Sequence, residues 1–156
     1  MVFTIPKMLR KHFLFDRALY GELSKVAYAA TREFFAAQFP TIEGAVPGMI
    51  VAPQSFGNLL NPHAHLHAVS SLGVFDPEGT FHAAPGDLDF RALGELFRER
   101  TLQMRLKRDA ITAERVELLR SWQHSGFNFN TTRRVAAGDR QSLETLLQYI
   151  ERPPFL

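Results

Sequence analysis

Three histidines stand at alternating positions in the stretch "NPHAHLHAV", residues 61–69: His63, His65 and His67, half of the six in the chain. Alternation is the period of a β-strand, so the three imidazoles share one face while Ala64, Leu66 and Ala68 share the other. Neighbouring rings on such a face start ~7 Å apart at the backbone, and their nitrogens can converge on one cation. Two readings stand: a divalent-metal site, or a row of hydrogen-bonded sheet histidines. The chain has no cysteine, which excludes disulfides and thiolate metal sites. A hard or borderline ion such as Mg²⁺ or Mn²⁺ therefore fits the donors better than a structural zinc.

A cation on such a strand would polarise a phosphate, and phosphodiester cleavage then needs an activated side-chain oxygen. Of the three tyrosines, Tyr20 and Tyr28 fall inside a long helical pattern. Tyr149 lies in "LETLLQYIERPPF", where Leu143, Leu146, Leu147 and Ile150 form an apolar helical stripe with Tyr149 at its edge. Taken alone, an edge tyrosine packs against the core. Beside a His-x-His strand it becomes a nucleophile matched to an electrophile.

The elements that would position these groups are legible in outline. "VFTIP" reads as a strand stopped by Pro6, and apolar residues at helical spacing run from Asp16, as N-cap, to about Phe39. "MIVAPQSF" is β-rich, the histidine strand follows to Ser71, and "GVF" and "TFHAA" flank the turn "DPEG" as a hairpin. "DLDFRALGELFRERTLQMRLKR" predicts a helix with Leu93, Leu96, Phe97 and Met104 inward and its Arg outward. Thr112 caps a further helix through Trp122, "FNFNTTRRV" is a last strand, and Asp139 caps a helix to about Glu151. The fold class expected is α+β, an antiparallel or mixed sheet carrying the His-x-His strand and covered by helices.

At 156 residues, 46% hydrophobic and 22% charged, the chain suits one globular domain. No apolar run approaches the ~20 residues of a membrane helix, and the start lacks a secretory signal, so a cytoplasmic location is expected. The net charge of +2 is segregated. Residues 51–90 hold four acids and no Lys or Arg; residues 91–140 hold eleven Lys or Arg against six acids. That block is either a set of solvated helix faces or a phosphate-binding surface.

The triplet "HLH" (His65-Leu66-His67) resembles the His-hydrophobe-His motif of the HUH endonucleases. Four ordered segments, "VFTIPKMLR", "AVPGMIVAPQSFGNLLNPHAHLHAVSSLGVF", "WQHSGFNFN" and "LLQYIERPPF", are similar to the rolling-circle insertion-sequence transposases of the IS ninety-one type. The resemblance implies a sheet-centred catalytic domain over residues 1–156. It implies His65 and His67 as ligands of Mg²⁺ or Mn²⁺, with a third polar ligand from His63, Asn58 or Gln54. Tyr149 would attack single-stranded DNA at the ends of a mobile element, leaving a 5′-phosphotyrosine link and a free 3′-hydroxyl, in a bacterial cytoplasm at the nucleoid.

Lys7, Arg10, Lys11, Arg133, Arg134 and Arg152 are the candidate DNA contacts. Phe127 and Phe129 could stack on bases or pack in the core, the second being favoured; Trp122 and His124 are taken as structural. Members of the group commonly carry a second tyrosine four residues earlier, where this chain has Thr145. A single tyrosine would need a homodimer or its own reuse. The sequence also lacks the group's Cys-rich zinc domain and is short beyond the tyrosine helix, which predicts a truncated catalytic core. The alternative is a catalytically inactive DNA-binding remnant.

Overall fold

The histidine strand lies inside a four-stranded antiparallel sheet of order β2-β3-β1-β6. A computed structural model describes residues 1–57, 61–122, 126–131 and 134–151. In chain order the elements are β1 (Val2–Thr4), α1 (Lys7–Arg10), α2 (His12–Phe15), α3 (Ala18–Ala36), β2 (Met49–Phe56) and β3 (Pro62–Ser70). They continue as β4 (Gly73–Phe75), β5 (Phe81–Ala83), α4 (Arg91–Lys107), α5 (Ala113–Ser121), β6 (Asn128–Asn130) and α6 (Arg140–Glu151). The architecture is the α+β class expected.

Register explains the alternation. Phe3 pairs with Leu66 on one side and Phe129 on the other, and these residues point to the core. There Phe3 meets Phe97 of α4 at 4.8 Å and Phe129 at 4.9 Å between ring centroids. Leu19, Leu23, Ala27 and Phe34 of α3, with Leu93 and Phe97 of α4, complete this layer. Ala64, Leu66 and Ala68 are buried within it, as the strand period requires. The opposite face gathers Thr4, His65, Gln54 and Asn128 in one row, with Val2, His67, Ala52 and Asn130 in the next. Helix α6 covers part of that polar face.

Most expected elements form close to where the pattern puts them. The β4–β5 hairpin closes with Asp76 N–H donating to Thr80 O at 3.0 Å and Gly79 N–H to Asp76 O at 3.0 Å. The Thr112 hydroxyl accepts from Arg115 N–H at 3.3 Å, and the Asp139 carboxylate accepts from Ser142 N–H at 3.0 Å. Both caps are as expected. Phe127 and Phe129 pack against the core and not on a surface available to bases.

Three details differ. The first long helix spans Ala18–Ala36, with the Asp16 carboxylate accepting from Ala18 N–H at 3.0 Å. Two four-residue helices, α1 and α2, precede it; a single turn leaves no periodic trace and is stable only through its packing. Third, the Arg of α4 do not all point outward. Arg105 is 2% exposed, and Arg98 reaches over the end of α5 to donate to Leu119 O at 3.1 Å and Arg120 O at 2.6 Å. A long aliphatic stem lets a guanidinium stay inside where carbonyls or an imidazole accept from it.

The basic block is largely consumed by carboxylates. Arg100 pairs with Glu33, Arg108 with Asp16 and Glu22, Arg120 with Glu99 and Glu117, and Arg91 with Asp89. Of these, Arg100–Glu33, Arg108–Glu22 and Arg120–Glu99 tie α4 to α3 and α5. Most of the charge on this block is therefore structural.

Candidate active site

On the polar face His65 is 7% exposed, while His63 and His67 are partly open. The His65 Nδ1 lies 2.7 Å from the His63 carbonyl oxygen. A carbonyl can only accept, so Nδ1 carries a proton, and in the neutral ring the lone pair is on Nε2. That lone pair points at His67 Nε2, 3.2 Å away. Two cis ligands of an octahedral ion, each ~2.1 Å from it, lie ~3 Å apart, so the two Nε2 atoms are spaced to hold one cation. An Nδ1–H donated to a carbonyl is also the outer support that fixes a metal-binding imidazole.

The protonation states agree. Burial, then the neighbouring His65, holds the His67 imidazole below its ordinary range. Burial, then Arg10 and His65, does the same to His63. Neutral rings offer lone pairs, so the cluster suits a cation at neutral pH.

His63 does not converge on the same point. Its ring stacks on His65, centroids 4.8 Å apart and 28° between planes. Among the described residues no group of three or more His, Cys, Asp or Glu is placed to hold a metal ion. Gln54 is the partner of His65 across the β2–β3 register. Its amide Nε2–H donates to the Ile150 carbonyl at 3.2 Å, so it ties the last turns of α6 to the sheet. Asn58 lies outside the described residues, as do Arg133, Arg152 and His124.

Tyr149 is brought to this cluster. Its ring meets that of His67 edge-on, with centroids 6.0 Å apart and planes at 78°. It is 57% exposed, while Ile150 beside it is 4% exposed. Helix α6 thus buries Ile150 at the sheet, leaves Leu143 exposed and Leu146 and Leu147 half-buried, and holds the phenol at the rim. Thr145, one turn earlier, is exposed, and its hydroxyl donates to Gln141 O at 2.9 Å.

Of the other candidates, Arg10 is near the cluster. Its charge acts on His63, while its Nε–H donates to Ile5 O at 2.9 Å. Lys7 and Arg134 are exposed. Lys11 lines a separate cavity beside His12. Sequence reasoning gave no role to Thr4, Asn128 and Asn130, which share the site face. The polar positions of "NFN" were a signal, but only pairing with β1 shows which face they reach.

Fold and site together define an α+β protein whose sheet presents two convergent imidazoles to a phenol on a covering helix. A family model described as "Putative transposase" matches residues 48–156, from the strand before the histidines through the tyrosine helix, and the chain belongs to this transposase family. DNA is accordingly its substrate class and DNA transposition its process. No curated protein and no solved structure gives a significant match. No helix of the described residues is long and apolar enough to cross a membrane.

Proposed function

We propose that the chain is an HUH-type endonuclease of the IS ninety-one kind, nicking and joining single-stranded DNA through a 5′-phosphotyrosine intermediate. The observation that carries the reading is the placement of the exposed Tyr149 phenol against His67, whose Nε2 converges with that of His65. The phenol oxygen attacks the scissile phosphorus as its proton leaves to solvent. The P–O3′ bond breaks, the departing oxygen takes a proton, and the 5′-phosphate stays on Tyr149. A 3′-hydroxyl attacking that phosphotyrosine restores a phosphodiester and frees the phenol.

His65 and His67 would hold a divalent ion, Mg²⁺ or Mn²⁺, which supplies polarisation of the phosphate and neutralises charge in the transition state. Gln54 anchors the helix that carries the nucleophile. Arg10 would contact the strand on the His63 side, with Lys7, Lys11, Arg134 and, outside the described residues, Arg133 and Arg152 as further phosphate contacts. Reuse of Tyr149 or a homodimer would supply a second cleavage.

A second reading, a DNA-binding remnant without catalysis, is favoured by Thr145 in place of a second tyrosine. One experiment separates them. Labelled single-stranded oligonucleotides tiling the DNA around the gene are incubated with protein and Mn²⁺, then run on a denaturing gel. A covalent band lost in Tyr149→Phe and His65→Ala is expected. No band from any oligonucleotide would rule out the enzyme in favour of the remnant.

A further inference from the structure

Arg105 is the largest side chain buried in the core, and its charge is poorly compensated. One terminal N–H donates to His12 Nδ1, which must then be neutral, and its Nε is buried with no hydrogen-bond partner among the described residues. Asp16 and Glu22 lie close enough to act on it, yet both are bonded to Arg108. A buried cation without a carboxylate of its own is costly unless something else supplies the negative charge.

A cavity of about 570 Å³ adjoins it, with Lys11, His12, Phe15, Arg105 and Arg108 in its walls. A second, of about 370 Å³, shares Lys11 and His12 and adds Arg115. The first falls within the ~300–1,000 Å³ of small-molecule sites, room for one nucleotide. Four cations face this region, with Asp16 as the acid in the wall. Phe15 is 88% exposed at the rim, an apolar ring that the core does not use. Arg10 acts on the histidine strand while the next residue, Lys11, lines the cavity. The α1–α2 junction therefore joins the two places.

We propose that this cavity binds one nucleotide of the DNA strand processed at Tyr149, with its phosphate at Lys11 in front of Arg105 and its base on Phe15. The assignment rests on the single-strand reading above and adds a second binding site to it.

The test is anisotropy of a labelled 20-nucleotide oligothymidine in EDTA, so that binding is read without cleavage and a failed adduct assay remains a separate result. Phe15→Ser and Lys11→Ala change exposed side chains, and circular dichroism checks that the fold is kept. Each is expected to weaken binding roughly tenfold, the size of one lost stack or phosphate contact. Wild-type affinity in both would overturn the site. Competition identifies the occupant: thymidine 5′-monophosphate should displace the oligonucleotide at far lower concentration than inorganic phosphate. Equal potency of the two would make the cavity a simple anion site and overturn the nucleotide assignment.

Discussion

The Tyr149 ring stands edge-on to the His67 ring, 6.0 Å between centroids, and Gln54 on the neighbouring strand donates to the carbonyl of Ile150, the next residue of the helix. Tyr149 and His67 are thus neighbours at a point where a third residue ties helix α6 to the sheet. Gln54, a candidate ligand, thereby has a second candidate role in positioning α6.

Gln54→Leu should separate those roles. Losing the bond to Ile150 is expected to cost about 1 kcal/mol of stability in a urea titration. Adduct formation should slow by about ten- to a hundredfold, as expected when a nucleophile shifts by a fraction of an ångström to one ångström. Mn²⁺ affinity, read by electron paramagnetic resonance, should stay near wild type. A collapse of Mn²⁺ affinity would place Gln54 among the metal ligands.

The three histidines should not be equivalent. His65→Ala and His67→Ala each remove an Nε2 of the converging pair and should weaken Mn²⁺ binding by more than about a hundredfold. His63→Ala removes a stacked ring but keeps the carbonyl that His65 Nδ1–H donates to, so a loss under about tenfold is expected. Equal losses in all three would contradict a two-imidazole site.

Asp139→Ala removes the cap of α6, whose carboxylate accepts from Ser142 N–H. The cost should be about 0.5–2 kcal/mol, felt as fraying of the helix that carries Tyr149. Hydrogen exchange of α6 amides should speed up while β3 amides stay protected. Uniform acceleration across the protein would mean that α6 does not open separately.

Leu66 sits between His65 and His67 but points to the opposite face, fully buried against Phe3 and its neighbours. Leu66→Ala should cost about 2–5 kcal/mol in a denaturant titration. A cost below about 1 kcal/mol would show that this face of β3 is not packed as described.

Acid should destabilise the fold through its histidines. Burial is the largest cause holding His12, His63 and His67 below their ordinary value, with Arg105 adding to the effect on His12. The unfolded chain takes up protons near pH 6.5, whereas the folded chain resists them until lower pH. Stability is therefore full above that value and falls as pH drops through the folded values. The urea midpoint should be lower at pH 5.5 than at pH 7.5, a range that leaves most carboxylates ionised. An unchanged or higher midpoint at pH 5.5 would contradict these shifts.

Local pattern alone determined a good deal of this protein. A period of two in residues 61–69 specified the strand and its two faces, and Leu143 to Ile150 specified an amphipathic helix with Tyr149 at the edge of its stripe. Asp139 and Thr112 announced helix starts because a cap needs only the next three residues. These signals survive folding because they arise from covalent geometry and near neighbours.

What the sequence left open depends on which distant segments meet. Gln54 and Ile150 are 96 residues apart, and Arg105 and His12 are 93 apart. No periodicity connects them. Whether the histidines converge was undecidable from spacing, since ring orientation follows from His65 Nδ1 bonding a carbonyl and from α6 lying across the strand. The Arg-rich block read as solvated helix faces, the favoured reading, or as a DNA surface. Packing of α4 against α3 and α5 brought Arg100, Arg108 and Arg120 to carboxylates of other helices and left Arg105 inside, because these pairings are settled by tertiary distance and not by order along the chain.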